Sequence, residues 1–206
     1  MLLEAFGRSF CASGQLDKKP ASVVHVFVLG IDPGLTRCGY AVVQAGKRQK
    51  AHAVALGVLR TPTDAAVHER LAELQQEVRL LHDEYQPVAV AVEKVFFSHN
   101  ASTAIGVAQA SGLVLAEAAT RGADVHQYSP TMVKAVVAGD GTADKSQVQE
   151  MVQMLLGLSK MPKPADAADA AALALCHLAH DPFLEGQQHR ADRVVAHGAV
   201  SPGGVR

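Results

Sequence analysis

The chain has 206 residues, a length suited to one globular domain with room for a short tail at either end. Half of it is apolar (49%), aromatics are scarce (4%) and there is no Trp, so a core has to be built from Val, Leu, Ile and Ala. A formal net charge of −1 speaks against a general nucleic-acid coat protein, which is usually basic, but leaves open an enzyme whose acidic ligands offset its basic residues. The cysteines, Cys11, Cys38 and Cys176, are odd in number and widely spaced. They give no disulfide framework and no zinc pattern, and a reducing cytoplasm is the simplest setting. The first residues lack a basic segment before an apolar run, and no stretch approaches the ~18 apolar residues of a membrane span.

Residues 1–22 show no period and read as a disordered extension, with the ordered domain expected over 23–182 and a polar, disordered tail over 183–206. VVHVFVLGID is a β-rich run broken by Pro33 and Gly34. CGYAVVQAG and AHAVALGVLRT follow at short spacing, which predicts an antiparallel three-strand meander. After Pro62 and Asp64, the residues Val67, Leu71, Leu74, Val78 and Leu81 recur at steps of four and three and give a helix one apolar face, with Arg70, Glu73, Glu77 and Arg79 elsewhere around it. PVAVAVEKVFF predicts a fourth strand, buried on both faces up to Glu93.

A second helix is expected from 98 to Gly122. Its first half is rich in small residues (Ala104, Gly106, Ala108, Ala110, Ser111, Gly112), which suit either close packing on the sheet or a subunit interface. ADVHQYS is a fifth strand, and Ser129–Pro130 resembles a cap and first helical position. TMVKAVVAG, SQVQEMVQMLLGL and ADAADAAALALCHLAH read as three further helices. The order gives an α/β fold with a five-stranded mixed sheet, a three-strand meander plus parallel strands, flanked by helices.

Four acids stand out by position. Asp32 ends one hydrophobic strand, Glu93 follows six apolar residues in another, and Asp166 and Asp169 lie three apart near the start of the last helix, on one face. An ionised carboxylate at the edge of a core is costly unless it is paired or binds a metal. Alone, Asp166 is as well explained as a helix cap and Asp32 as a turn residue before Pro-Gly. Together the four suit a hard cation such as Mg²⁺, which takes oxygen ligands and keeps several waters. Two such ions can activate water and stabilise the leaving 3′-oxygen of a phosphodiester. Asp166 ranks ahead of Asp169 for reaching the cleft because it begins the helix.

GIDPGLTRCGYAVV, AVEKVFF, KSQVQEMVQMLLGL and ADAADAAALALCHLAH, in that order, resemble the RuvC family of Holliday-junction resolvases, over roughly residues 26–182. The first motif alone is moderately specific; joined to E-x-x-F and D-A-A-D-A it is highly specific. The resemblance implies an RNase H-like fold, a homodimer, dependence on Mg²⁺ with Mn²⁺ as a substitute, and paired symmetric nicks in a four-way DNA junction. It further implies partnership with the branch-migration proteins RuvA and RuvB. By motif, Asp32, Glu93, Asp166 and Asp169 match the catalytic, metal-binding cluster. Phe96, with Phe97 beside it, matches an aromatic wedge against junction bases, where stacking is worth ~1–3 kcal/mol per base. Lys134 and Lys145 match basic positions near DNA. Lys145, at a helix start where free N–H groups also favour phosphate, is a candidate to offset charge in the transition state. Lys94 departs from the family pattern, which often has a glutamine there.

Three other readings compete. An actin-like phosphotransferase shares the GIDPG hairpin but needs two such lobes. Another RNase H-like nuclease would share the acids, but the EKVFF aromatics and the DAAD helix favour the resolvase. A non-catalytic junction binder would not place four acids near phosphate.

Overall fold

The computed structural model describes residues 25–46, 50–95 and 101–180, with only the backbone of 101–103. The expected extension, the tail, Cys11 and both aromatics Phe96 and Phe97 lie outside the described residues. Strands β1 (Phe27–Asp32), β2 (Arg37–Ala45) and β3 (Ala51–Arg60) form the antiparallel meander. Helix α1 (Val67–Tyr85) leads to β4 (Ala89–Glu93), which pairs parallel with β1, and α2 (Ala101–Thr120) leads to β5 (Asp124–Tyr128), parallel to β4. Helices α3 (Pro130–Ala138), α4 (Lys145–Leu155) and α5 (Ala165–His180) complete the chain, and the sheet order is β3-β2-β1-β4-β5. The five-stranded mixed sheet is the one the pattern predicts.

The local signals act as their chemistry requires. Ser129 Oγ accepts from the Met132 N–H at 3.2 Å and Pro130 opens α3. Gly122 takes a positive φ of 76° just past the end of α2, a conformation costly for residues with a Cβ. Helix α1 departs from the expected pattern at its first turns. Val67 is 45% exposed, whereas Arg70 is buried. The Arg70 side chain runs beneath the β1–β2 turn, where Nε donates to Thr61 Oγ1 at 3.0 Å and Nη2 to Thr36 Oγ1 at 2.8 Å. Hydroxyl acceptors at the end of the helix face outweigh the apolar periodicity there.

Two apolar layers sandwich the sheet. Leu29, Ile31, Val90 and Val92 pack with Leu74, Val78, Ala110 and Val114 of α1 and α2. Val28, Ala41, Val43, Ala89 and Ala91 pack with α3, α4 and the buried alanines of α5. Side chains alternate along a strand. The face that carries Val28 and Gly30 therefore carries Asp32, the face of Ala89 and Ala91 carries Glu93, and the face of Ala41 and Gly39 carries Arg37. All three functional positions thus look towards α5. Helix α5 is almost all Ala on its buried side and lies close to the sheet: a Cβ at Gly30 would overlap the Ala170 carbonyl oxygen, and one at Gly39 would overlap that of Asp166.

Candidate active site

Each acid is delivered by a different part of this arrangement. Asp32 is the last residue of β1, and Glu93 is the last residue of β4. The two strands are parallel neighbours with Ile31 beside Val92, so the two carboxylates end side by side. Asp166 and Asp169 descend from the first turns of α5, whose backbone Gly39 admits.

Their charges crowd one another. Burial pushes Asp32 up from 3.8 to about 7, and the carboxylates of Glu93, Asp169 and Asp166 add to the rise; the Asp32 carboxyl keeps its proton by donating it to Glu93. Burial also raises Glu93, aided by Asp169 and opposed by the hydrogen bond from Asp32 and by Lys145. Asp169 bears on both of these half-buried acids. Asp166 instead turns towards β2, where the Arg37 guanidinium holds it through Nε at 2.8 Å and through Nη2, both on Oδ2. The two α5 acids therefore divide differently from the expected ranking: Asp169 faces the Asp32–Glu93 pair and Asp166 faces Arg37.

Lys145 Nζ reaches Asp169 Oδ2 at 3.3 Å, and that carboxylate raises the lysine above its ordinary value. A cleft of about 140 Å³ brings Glu93, Lys134, Lys145 and Asp169 together between α3, α4 and α5. The start of α4 is less open to phosphate than the sequence implies. Asp144 caps it, accepting from the Gln147 N–H at 2.9 Å, and Gln147 Oε1 in turn accepts from the Asp144 N–H. The Lys145 side chain, by contrast, lines the cleft beside Glu93 and Asp169.

The donor set suits a hard divalent cation: it is all oxygen, and Asp32 and Glu93 are held up first by burial and then by neighbouring carboxylates, Asp169 among them, whose repulsion a cation would relieve. Among the described residues, however, no three such side chains already converge on one point as a metal would require. Asp166 is paired with Arg37 and Asp169 with Lys145.

Arg37 escaped the sequence reading: it stands two residues from Gly39 and four from Ala41, and only the packing of α5 against those two positions shows which way it faces. The two described cysteines lie in the apolar layers. Cys38 and Cys176 are buried, and burial pushes their thiols up to about 12 and about 11.

The model of the family described as crossover junction endodeoxyribonuclease RuvC matches residues 28–177. The chain belongs to the RuvC family. It is 54% identical to the crossover junction endodeoxyribonuclease RuvC of Corynebacterium jeikeium over 149 residues, 72% of this chain and 91% of that protein. Identity to the Corynebacterium diphtheriae protein of the same name is 51%, over 76% of this chain and 96% of that one. Among solved structures, Thermus thermophilus RuvC in complex with a Holliday junction substrate superposes with a TM-score of 0.73 at 37% identity, over 78% of this chain and 98% of that one. The yeast mitochondrial Holliday junction resolvase Ydc2 shares the fold (TM-score 0.59, 16% identity, 87% and 90% covered). The RNase H-like architecture and the nuclease class are thus established, and the actin-like alternative falls. RuvC proteins are metal-dependent nucleases. No described helix is long and apolar enough to cross a membrane.

Proposed function

We propose that the protein resolves four-way DNA junctions in recombination and repair, by paired symmetric hydrolytic nicks that leave 5′-phosphate and 3′-hydroxyl ends. The observation that carries this reading is the gathering of Asp32, Glu93, Asp166 and Asp169 at one end of the sheet, under a rim of Arg37, Lys134 and Lys145. Asp32, Glu93, Asp166 and Asp169 would hold Mg²⁺, with Mn²⁺ able to substitute. Bound there, the ion supplies Lewis acidity to the phosphate and favours ionisation of water. The chain's own residues do the rest. Glu93 would take a proton from the attacking water. Lys145, beside Asp169, would offset charge on the scissile phosphate. Lys134 and the wedge candidates Phe96 and Phe97 hold the distorted crossover.

A four-way junction has two-fold symmetry, so paired nicks call for two copies of the chain. The outward face of α2 supports that pairing: Ile105 is 61% exposed, and Gly112 has open space beside it. RuvA and RuvB are the expected partners at the junction, in the cytoplasm. The test is a synthetic four-way junction incubated with Mg²⁺ or Mn²⁺ and run on a denaturing gel. Paired nicks should appear with the wild type and vanish with Asp32→Asn while junction binding survives. Continued cutting by Asp32→Asn would sink the reading.

A further inference from the structure

The two rim cations hold the α5 acids in different ways. Lys145 makes one long contact from a side chain that is 76% exposed. Arg37 makes two contacts, and both converge on Oδ2 of Asp166. The base of Arg37 is pinned. Arg70 donates to Thr36 Oγ1, Thr61 Oγ1 donates to the Leu35 carbonyl, and the Thr61 N–H reaches the Thr36 carbonyl at 3.4 Å. The Arg37 side chain is 39% exposed and the Asp166 side chain that holds it 29% exposed. A fixed backbone with a solvent-facing fork is an arrangement in which the side chain can leave its partner without the loop moving.

We infer that Arg37 is a metal-responsive phosphate contact, held by Asp166 in protein without metal and passed to a DNA phosphate when the acids take up a divalent ion. This rests on the function proposed above. The guanidinium fork matches carboxylate and phosphate alike. A divalent ion on Asp166 competes with Arg37 for the same carboxylate and repels its charge. Once displaced, the guanidinium stands beside the acids where a scissile strand must lie. Metal and junction binding then reinforce each other, and the coupling is reciprocal.

The test uses the full chain and two DNA-free measurements. In calorimetric titration with Mn²⁺, Arg37→Gln should bind about two- to fivefold more tightly than wild type, the fold-change expected when a partly exposed ion pair no longer competes. Unchanged or weaker binding overturns the inference. In nitrogen-15 spectra of the wild type, the Arg37 Nε–H should be protected from exchange without metal and lose that protection as Mg²⁺ is added. Protection that persists in Mg²⁺ overturns it, and this measurement stands even where Arg37→Gln fails to fold.

Junction binding supplies the third arm, with uncut junction scored on the same gel. In EDTA, Arg37→Gln and wild type should bind alike. In Ca²⁺, the variant should bind about tenfold more weakly, the loss expected for one charge-assisted contact. An equal loss in both buffers would make Arg37 an ordinary fixed contact and overturn the exchange. Failure of the wild type to cut any junction, with the DNA-free results as stated, would instead overturn the proposed function and leave the Arg37–metal competition standing.

Discussion

The α-carbon of Gly39 faces the carbonyl oxygen of Asp166 so closely that any β-carbon there would overlap it. Gly39 is also the register partner of Asp32. One glycine therefore fixes how near the α5 acids come to the β1 acid. Gly39→Ala should push the first turn of α5 away from the sheet. The expected cost is about 1–3 kcal/mol, read from the denaturant midpoint. Junction cutting should fall about a hundredfold, since a displacement near 1 Å is enough for that. A variant with wild-type stability and cutting would show that α5 can shift without consequence.

Asp32 gives the protein a pH signature in EDTA. Its pKa rises from 3.8 in the unfolded chain to about 7 in the folded one, chiefly through burial. Between those values the folded state binds a proton that the unfolded state has released, so stability falls as pH rises through this window and the full penalty is present above it. Asp32→Asn removes the penalty. At pH 8 the variant should be more stable than wild type by roughly 2–4 kcal/mol, with the difference closing towards pH 4. Urea unfolding across that range is the measurement, and parallel profiles for the two proteins would contradict it.

The acids were legible in the sequence because a carboxylate that ends an apolar strand violates the pattern around it. Asp32 and Glu93 share a face with Val28 and Ala91, and simple alternation places both towards α5. Arg37 offered no such violation. An arginine at a strand's start reads as solvated, and only the register of β2 against β1 and the close approach of α5 turn it into the partner of Asp166. Arg70 was misplaced for a related reason. Its position, four before Leu74, lies on the apolar stripe, but an arginine there reads as solvated, and the hydroxyls of Thr36 and Thr61 that draw it inward lie 34 and 9 residues away. Such long-range polar pairing leaves no periodic trace.

Glu117 shows the opposite shift from Asp32. It is only 6% exposed, yet Arg79 donates to it at 2.9 Å, Arg121 at 3.0 Å and Gln75 at 3.0 Å, which ties α2 to α1. The hydrogen bond from Arg79 leads the causes that hold it down at about 2, against 4.5 for the unfolded chain. Its contribution is present above 4.5 and is lost as pH falls towards 2. Glu117→Gln should cost about 1–2 kcal/mol at pH 7, because both arginines can turn to water. Near pH 2.5 the cost should shrink. A pH-independent difference in melting temperature would assign the loss to packing instead.

Gly112 offers a test of the proposed pairing of two chains that leaves the fold of one intact. Beyond the backbone of its own helical turns, no described heavy atom lies within 4 Å of where its Cβ would stand, so a side chain there meets open space in the single chain. Replacing a helical glycine also favours the helix by up to ~1 kcal/mol. Gly112→Leu should therefore melt at or above the wild-type temperature. Where a second copy packs against α2, the same leucine has to overlap it. The dissociation constant of the dimer should then rise at least about tenfold, for an overpacking cost above 1.4 kcal/mol. Light scattering at micromolar concentration would read this as a shift towards the monomer mass. Junction products should change in parallel, from paired nicks to single ones. A Gly112→Leu protein that stays dimeric and still nicks in pairs would place the interface on another face of the molecule.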